Sequence, residues 1–548
     1  MFAPSWRAEA KAALDLPFDL VIFGGGITGC GILLDASRRG LRALLVEKDD
    51  LASGTSSRSS KLIHGGFRYL KRLQLRTTAH SCRERELQLA NQPHLVEPLH
   101  FVFPVWQGDK PPGFVVDFGL SLYDVFTRSE EAHRRLGEEE LARRAPGLRR
   151  QGLDRALYYL DARVDDARLT YAVAATAYAA GGLVLTRAVA EAASLEGEPA
   201  SGLKTAYLRD LEDDTVYPVR TRLLVNATGA WVDELRLRCG LSGRRLRPSR
   251  GSHLVFSRER LPLTDAIAVL SPDDRRPVFF LPHPEGTLLG TTDLFHDGQL
   301  DDPRPTRFEV DYLLRAAAAT FPDAPPTEKD IVGAFAGIRP VIDDGAASPS
   351  AASREEAIWH ERGMLSVAGG KLTTWRLIAE EVVDQAVKLL PKERREQLRP
   401  CSTVHLPLLG RGPADLAQRL AARGLEAGVA RGMARRLGSL APVAIAEARA
   451  DELRPLLDGS DLSLAEARNH LRYGAVTRLA DLLLRRVRAG LWQPALAAEL
   501  PARLRELLGA ELGWDTGRIT REEENFAREL QSFTLAGVDE TRPGGGAR

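Results

Sequence analysis

The 548-residue sequence has few cysteines and almost no net charge. Its four cysteines, at positions 30, 82, 239 and 401, show no metal-binding or disulfide spacing, which is typical of a reducing compartment. The 75 basic and 74 acidic residues give a net charge of +1, so no overall field favours nucleic acid. We therefore predict a cytoplasmic protein with no metal site and no nucleic-acid partner.

Long apolar runs are also scarce. The segment Leu169–Thr186 lacks charge for 18 residues, but it is rich in alanine and interrupted by a Gly-Gly pair at Gly181. It predicts a buried helix that ends at Gly181, followed by a strand over Leu183–Leu185, rather than a membrane span. The residues before Phe18 include acidic side chains and no apolar core, so a secretory signal is not expected.

The most informative segment lies near the N-terminus and reads strand, glycine turn, helix, strand. Asp19–Phe23 is an apolar run, Ile27–Arg39 has helical periodicity, and Leu41–Val46 is a second apolar run that ends on Glu47. The first turn carries glycines in G-x-G-x-x-G register: Gly24, Gly26 and Gly29.

Each part of this segment suits an adenine dinucleotide. Gly24 permits the tight turn, Gly26 lets a pyrophosphate approach the backbone, and Gly29 allows close helix packing. The helix N-terminus offers free N–H groups to the anion. Glu47 lies at the end of the second strand, where a carboxylate accepts the ribose hydroxyls. The alternative is a βαβ unit with a purely structural glycine turn.

A polar and basic segment follows at Leu51–Gln74. It begins with small polar residues, including Ser53, Thr55, Ser56, Ser59 and Ser60. A glycine pair, Gly65-Gly66, is then flanked by Lys61, His64, Arg68 and Tyr69. Hydroxyl groups and cations of this kind suit a phosphate or the edge of a planar ring. Taken alone, the segment fits a serine-rich surface loop and a basic helix better.

Seven further segments stand in order along nearly the whole chain. They are SSKLIHGGFRYL (59–70), LDARVDDARL (160–169), VNATGAWVD (225–233), RGSHLVF (250–256), LLGTTD (288–293), AGIRPVIDD (336–344) and GGKLTTWRLIAEEVVD (369–384). Together they resemble the FAD-dependent glycerol-3-phosphate dehydrogenases, which are part of the glutathione-reductase and D-amino-acid-oxidase-like flavoproteins. Leu160 replaces the family's usual Tyr, and Ala230 its usual Pro.

The resemblance implies an α/β fold with three parts. A Rossmann-like FAD-binding domain of the glutathione-reductase/D-amino-acid-oxidase type is expected over residues 18–97, 156–239 and 327–390. An antiparallel-sheet substrate (cap) domain is expected over 98–155 and 240–326, where the second insert alternates in strand fashion. A C-terminal helical domain is expected over 400–535, and the Gly/Pro-rich tail 541–548 is expected to be disordered.

The C-terminal domain contains a basic cluster within a stretch expected to be helical, Leu471–Leu491. The cluster consists of Arg485, Arg486 and Arg488, beside apolar residues 482–484. It suits a membrane surface or a dimer partner. The interpretation we prefer is that the packed and solvated faces of one helix alternate here.

Strand ends locate the rest of the cofactor site. The apolar runs Leu223–Ala227 and Leu365–Ala368 end on Thr228-Gly229 and Gly369-Gly370-Lys371, and ligands gather at such ends. The second end starts a helix with Thr373 or Thr374 as its cap, aimed at the flavin. With the resemblance, the predicted cofactor-binding residues are Gly24, Gly26, Gly29, Glu47, Lys48, Thr55, Ser56, Ser60, Lys61, Gly65, Ala227, Thr228, Gly229, Gly337, Gly370, Lys371, Leu372 and Thr373.

The resemblance further implies oxidation of sn-glycerol 3-phosphate to dihydroxyacetone phosphate by hydride transfer to FAD. The predicted anion-binding residues are Arg68, Tyr69, Arg339 and Lys371. The predicted proton acceptor is His64 or His253, because imidazole titrates near working pH; Arg339 or Lys371 would alternatively stabilise the developing alkoxide. Pro340 favours extended backbone at Arg339, whose other interpretation is a surface arginine paired with Asp343 or Asp344.

The electron acceptor is open at this stage. The resemblance favours a membrane quinone, with peripheral contact at the inner face of the cytoplasmic membrane, and a homodimer is a further expectation. The alternatives are an oxidase that makes peroxide from oxygen, an amino- or hydroxy-acid oxidase of the same fold, and a flavin-binding scaffold without turnover. The basic residues at 68, 339 and 371 argue against the last two.

Overall fold

A computed structural model of the chain describes residues 1–66, 75–127, 131–198, 201–346, 348–349 and 355–540. Within these ranges the chain forms two sheets and a helical C-terminal region. The strands are β1 Phe18–Phe23, β2 Ala43–Glu47, β3 Leu62–Ile63, β4 Val96–Trp106, β5 Arg134–Arg135, β6 Leu153–Val164, β7 Leu183–Thr186, β8 Ala188–Ala193, β9 Lys204–Asp210, β10 Val216–Asn226, β11 Ser249–Phe256, β12 Ala266–Leu270, β13 Pro277–Pro282, β14 Thr287–Gly290, β15 Leu294–Phe295, β16 Ile331–Arg339, β17 Ala357–Glu361 and β18 Met364–Ala368.

The helices surround these sheets and fill the C-terminal region. They are α1 Trp6–Ala12, α2 Ile27–Arg39, α3 Leu75–Asn91, α4 Gly113–Thr127, α5 Glu138–Arg144, α6 Asp166–Ala179, α7 Val232–Arg238, α8 Arg307–Thr320, α9 Trp375–Leu389, α10 Lys392–Arg395, α11 Leu416–Ala421, α12 Ala427–Leu437, α13 Ala441–Ala446, α14 Leu464–Tyr473, α15 Ala489–Trp492, α16 Pro494–Leu512 and α17 Thr516–Leu530. No helix in the described ranges is long and apolar enough to cross a membrane.

The first sheet has the strand order β17-β18-β10-β1-β2-β7. Strands β18, β10, β1, β2 and β7 run parallel, so their carboxyl ends meet at one edge. Helices α2, α6 and α9 cover one face. Their packing is close, since a Cβ on Gly31 of α2 would lie 2.9 Å from the Trp375 ring of α9. This arrangement is the doubly wound layer expected from the N-terminal motif.

The second sheet is mostly antiparallel and has the order β15-β11-β14-β13-β12-β4-β6-β3, with β16 beside β11 and β5 beside β6. It contains segments on both sides of the predicted domain limits. Strand β16, which lies after the predicted limit at 327, pairs with β11 from Ser249↔Arg339 to Phe256↔Ile331. Strand β6 likewise continues past the predicted limit at 156. Both strands are largely buried, and burial on two faces gives the same apolar pattern in either sheet.

The C-terminal region departs from the expected continuous helix over Leu471–Leu491. Helix α14 ends at Tyr473, a π-helix spans Asp481–Arg486, and α15 begins at Ala489. The predicted tail 541–548 lies outside the described residues.

The basic cluster Arg485, Arg486 and Arg488 does not face solvent. All three side chains are buried, and their guanidinium groups pair with Asp50, Asp166 and Asp481. A role of these arginines in membrane contact is therefore wrong, and so is our preferred interpretation of them as a solvated face, because ion pairs from the first domain neutralise the cluster.

Candidate active site

A cavity of about 770 Å³ opens along the carboxyl ends of β1, β2, β10 and β18. Its volume falls within the range of roughly 300–1,000 Å³ that is typical of ligand pockets. Twelve of the eighteen predicted cofactor-binding residues line it: Gly24, Gly26, Glu47, Lys48, Thr55, Ser56, Ala227, Thr228, Gly229, Gly370, Lys371 and Leu372. The site therefore lies where a doubly wound sheet is expected to bind its ligand.

The glycine turn between β1 and α2 leaves no room for side chains. Gly24 has a φ of +107°, and a Cβ there would lie 2.5 Å from the carbonyl oxygen of Ala227. A Cβ on Gly29 would overlap the carbonyl oxygen of Gly24. Gly26 is the N-cap of α2, and the next N–H, that of Ile27, donates to Ser56 Oγ over 2.9 Å. The turn thus presents the start of a helix directly to the cavity.

Glu47 closes the adjacent side of the cavity. Its carboxylate accepts hydrogen bonds from the N–H of Gly25 (2.5 Å) and from the N–H of Asp49 (2.8 Å). Burial raises the pKa of Glu47 from its ordinary 4.5 to about 7, and those two bonds oppose the rise. A carboxylate fixed beside the glycine turn suits the hydroxyls of a ribose.

A second pair of strand ends forms the opposite wall. Gly229, after β10, has a φ of +60°, and Gly369 and Gly370, after β18, have φ values of +80° and +76°. The start of α9 differs from expectation, because neither Thr373 nor Thr374 caps it through its side chain. Thr373 Oγ1 instead accepts from the N–H of His64 (3.1 Å) and donates to its carbonyl oxygen (3.2 Å).

That pair of bonds joins the His-Gly-Gly segment to Thr373, the residue after the cavity-lining Leu372. The neighbouring Gly65 is fixed by a hydrogen bond from its N–H to Asp161 Oδ1 over 3.1 Å. Asp161 also accepts from Tyr123 Oη (2.7 Å) and Arg85 Nη1 (2.5 Å), and all three side chains are buried. A Cβ on Gly65 would overlap Tyr123. The glycine is therefore a packing requirement, and it does not line the cavity.

Arg339 ends β16 next to Pro340, which lines the cavity. Its guanidinium donates to Thr291 Oγ1 (2.9 Å) and to the carbonyl oxygen of Thr292 (3.3 Å), and it lies 3.2 Å from Asp293 Oδ1. These partners belong to the LLGTTD segment, and they differ from the Asp343 or Asp344 of the alternative interpretation. The guanidinium is thus fixed within the second sheet, one residue before the cavity-lining Pro340.

His253 is fully enclosed in the second sheet. Its Nε2 lies 2.8 Å from Ser60 Oγ, and its ring stacks on Phe335 with centroids 4.8 Å apart. Burial, with smaller contributions from Arg339 and Lys61, places the pKa of His253 well below its usual range. A Cβ on Gly290 would overlap the ring. His253 is therefore a neutral imidazole that connects the serine loop to the sheet.

Lys61 lies away from the cavity. Its ammonium is 2.8 Å from Asp166 Oδ1, and burial lowers its pKa to about 8. Asp166 also accepts from the N–H of Ser59 (3.0 Å) and from Arg488 Nη2 (3.0 Å). Lys61 therefore does not line the cavity, and its ion pair with Asp166 anchors the loop. The predicted residues that do not line the cavity are Gly29, Ser60, Lys61, Gly65, Gly337 and Thr373.

The remaining predictions concern residues that the structure either omits or places at the wall. Arg68 and Tyr69 lie outside the described residues. Lys371 lines the cavity, and its Nζ donates to Ser81 Oγ over 3.1 Å. Among the described residues, no group of His, Cys, Asp and Glu is arranged to hold a metal ion.

Sequence reasoning missed wall residues in three places: near the strand ends of the first sheet, in the segment after β15 and in the C-terminal region. These residues include Arg187, Trp231, Asp301, Arg304, Arg485, Asn525, Arg528 and Glu529. Asp301 pairs with Lys48 across the cavity. Trp231 stands in the quoted segment 225–233, which could have marked it, whereas the others stand in no glycine-rich or periodic motif.

The residues present fit an adenine dinucleotide that carries a flavin. The helix start at Gly26 suits the pyrophosphate, Glu47 suits the ribose, and the start of α9 with Lys371 suits a ring that becomes anionic on reduction. Together, the sheet and the cavity define a flavin-dependent oxidoreductase.

Comparison with known proteins identifies the family. Residues 19–385 match the model of the FAD dependent oxidoreductase family, and residues 401–519 match the C-terminal domain of alpha-glycerophosphate oxidase. The aerobic glycerol-3-phosphate dehydrogenase of Staphylococcus saprophyticus is 37% identical over 410 residues, which are 74% of this chain and 73% of that protein. Glycerol-3-phosphate dehydrogenase 2 of Mycobacterium tuberculosis is 34% identical over 548 residues, covering 97% of this chain and 92% of its own.

Solved structures agree with the sequence matches. The glycerol-3-phosphate dehydrogenase of Bacillus halodurans, complexed with FAD, superposes with a TM-score of 0.77 at 28% identity, covering 97% of this chain and 98% of that one. The L-alpha-glycerophosphate oxidase of Mycoplasma pneumoniae shares the fold, with a TM-score of 0.55 at 18% identity over 68% of this chain and 95% of that one. The chain belongs to the FAD-dependent glycerol-3-phosphate dehydrogenase family, and FAD is its cofactor.

Proposed function

We propose that the protein oxidises sn-glycerol 3-phosphate at C2 to dihydroxyacetone phosphate and passes the electrons to a membrane quinone. The observation that supports this proposal is that three segments remote in sequence, 59–66, 336–344 and 369–374, each contribute to the cavity wall, through Ser59, Pro340 and Lys371. Pro340, after Arg339, and Lys371 both line it, and Thr373 binds the backbone of His64. The relatives named glycerol-3-phosphate dehydrogenase support the choice of substrate.

The cofactor and the protein have separate tasks in this reaction. When bound, FAD supplies the acceptor for the hydride that leaves C2. The protein holds the phosphate, orients C2 and takes the hydroxyl proton. Arg339 suits the first task, because a guanidinium held by Thr291, Thr292 and Asp293 presents a fixed cation to phosphate or to a developing alkoxide. Lys371 adds a second cation at the start of α9, while Arg68 and Tyr69 remain predicted contributors.

We assign the proton acceptor to His64 rather than His253. His253 is buried with a pKa well below its usual range, and a weak base takes a proton from an alcohol poorly. His64 is half-buried, and its backbone N–H donates to Thr373, the residue after the cavity-lining Leu372. His253 instead positions the serine loop through Ser60.

Anaerobic titration tests the substrate. The purified yellow protein should bleach with glycerol 3-phosphate but keep its colour with glycerol or an amino acid. Bleaching by an amino acid would indicate an amino-acid oxidase of the same fold, and no bleaching with any of the three would indicate a scaffold.

Arg339→Ala should raise KM for the phosphorylated substrate and lower kcat, and unchanged kinetics would remove Arg339 from the site.

The oxidase alternative is supported by one observation, the match of residues 401–519 to the C-terminal domain of alpha-glycerophosphate oxidase. The relatives named aerobic glycerol-3-phosphate dehydrogenase support a dehydrogenase, for which we propose a quinone as acceptor. Turnover in air with a peroxide assay, compared with turnover on a soluble quinone analogue, separates the two. Stoichiometric peroxide with no gain from the quinone would overturn our choice. Peripheral attachment to the inner face of the cytoplasmic membrane and a homodimer stay predictions.

A further inference from the structure

The C-terminal helical region reaches the same cavity as the glycine turn. Arg485 from the π-helix and Asn525, Arg528 and Glu529 from α17 line it together with Gly24, Gly26 and Glu47. More than 430 residues separate Glu47 from Arg485 in sequence, as the spacing of 435 residues between Asp50 and Arg485 shows. Helix α17 is thus a wall of the cofactor cavity and more than an appended element.

Two arginines of the π-helix form ion pairs with Asp50 in the loop that follows β2. Arg485 Nε lies 2.6 Å from Asp50 Oδ2, and Arg486 Nη2 lies 2.8 Å from Asp50 Oδ1. Arg485 also pairs with Asp481 (2.8 Å) and with Glu529 (2.7 Å). Asp50 comes three residues after Glu47, so the carboxylate suited to the ribose stands on a loop that the C-terminal region fixes.

Arg528 differs from its neighbours on the wall. It is exposed, its Nη2 donates to Asn525 Oδ1, and it forms no ion pair with a carboxylate in the part of the chain that the structure describes. Its charge therefore remains available to an anion. FAD carries two negative charges on its pyrophosphate, and guanidinium groups bind phosphate oxygens strongly.

We propose that the C-terminal helical region is part of the FAD site: Arg485 holds the loop of Asp50, and Arg528 supplies a cation to the pyrophosphate. This inference rests on the FAD dependence of the family and is independent of the proposed substrate, proton acceptor and electron acceptor. Its consequence is that release of the cofactor depends on α17.

The test uses Arg528, because replacing the buried Arg485 also disturbs folding. FAD affinity is measured by flavin fluorescence during titration of the full-length apoprotein, with no glycerol 3-phosphate present. Arg528→Gln should weaken binding about tenfold, the cost of one charge-assisted hydrogen bond, and Arg528→Glu should weaken it further. Added salt should reduce the difference in FAD affinity between the wild type and Arg528→Gln, because it screens the charge of Arg528.

Arg503→Glu provides the matched control, since Arg503 is an exposed arginine of α16 that does not line the cavity. It should bind FAD as the wild type does. Equal affinities in the wild type, Arg528→Gln and Arg528→Glu would overturn the proposal, and so would equal losses in Arg528→Glu and Arg503→Glu. Failure of substrate oxidation leaves these affinities unaffected, so the two proposals fail separately.

Discussion

Gly251 lies directly against the guanidinium of Arg339: a Cβ at position 251 would come within 2.6 Å of Arg339 Cζ. The two residues stand on the paired strands β11 and β16, where Ser249 faces Arg339 and Gly251 faces Gly337. Because Gly251 of the RGSH segment has no side chain, it leaves the space that the guanidinium of Arg339 in the GIRP segment occupies. Two motifs that are remote in sequence form one structural unit.

Gly251→Ala is expected to reduce kcat/KM for glycerol 3-phosphate by about 100-fold, because it displaces a fixed cation by roughly an ångström. Flavin content should stay at the wild-type level, since Gly251 does not line the cavity. The control is Gly428→Ala in α12, where a Cβ meets no atom within 4 Å. Steady-state kinetics of both variants check the prediction, and a normal kcat/KM in Gly251→Ala would contradict it.

Glu47 should make FAD affinity depend on pH. Burial raises its pKa to about 7, so the side chain is largely protonated in mildly acidic solution. Only the carboxylate accepts hydrogen bonds from both ribose hydroxyls, so affinity should rise as pH increases through about 7 and then level off. Glu47→Gln should show no such rise, whereas a rise of equal size in that variant would assign the effect to another group.

The same group predicts how stability of the apoprotein varies with pH. The folded state holds the Glu47 proton more tightly than the unfolded chain, whose pKa is near 4.5. The contribution of Glu47 to the free energy of unfolding should therefore fall as pH rises from about 4.5 to about 7. Denaturant unfolding of the wild type and Glu47→Gln across this range measures the free energy of unfolding of each. The value for Glu47→Gln relative to the wild type should increase with pH.

The two histidines should differ in their effect on the pH profile of kcat/KM. A general base must be deprotonated, so its titration produces a fall on the acid side. His64→Gln is expected to remove that fall and to lower kcat about 100-fold or more. His253→Gln should keep it, because the pKa of His253 lies well below its usual range. Loss of the fall in His253→Gln alone would reverse the assignment.

Asp166→Asn should destabilise the protein strongly. The substitution leaves two buried cations, Lys61 and Arg488, without their shared carboxylate. Breaking a buried ion pair from one side costs about 3–5 kcal/mol of the free energy of unfolding. Denaturant unfolding checks this value. Asp415→Asn serves as the control, since Asp415 pairs with Arg419 at the surface and its loss should leave the unfolding midpoint unchanged.

The cofactor side of the site was largely predictable because its signals are local. A tight turn at Gly24, a helix start at Gly26 and an acid at the end of β2 follow from backbone sterics and strand order. Arg339 was predictable only as a residue of a motif. Its partners at 291–293 come from the loop between β14 and β15 of the second sheet, and nothing in the apolar pattern specifies that contact.

Contacts that join remote segments explain most differences from expectation. Lys61 looked like a cofactor ligand because a lysine beside serines suits phosphate. Its ammonium instead forms an ion pair with Asp166, 105 residues away. Arg485, Arg486 and Arg488 likewise resembled a membrane-facing or solvent-exposed cluster, because the sequence does not show that Asp50 and Asp166 pair with this cluster. A sequence displays the charge of a residue, whereas the partner that neutralises it depends on the tertiary fold.

The position of β16 has a consequence for how the chain matures. This strand borders β11, yet a ribosome releases it some 80 residues later, after the whole of α8. Until then, Gly251 faces no arginine, and one long edge of the second sheet lacks its neighbour. Nascent chains of this protein should therefore remain open to chaperones until β16 has left the ribosome, and they cannot complete the catalytic centre before then.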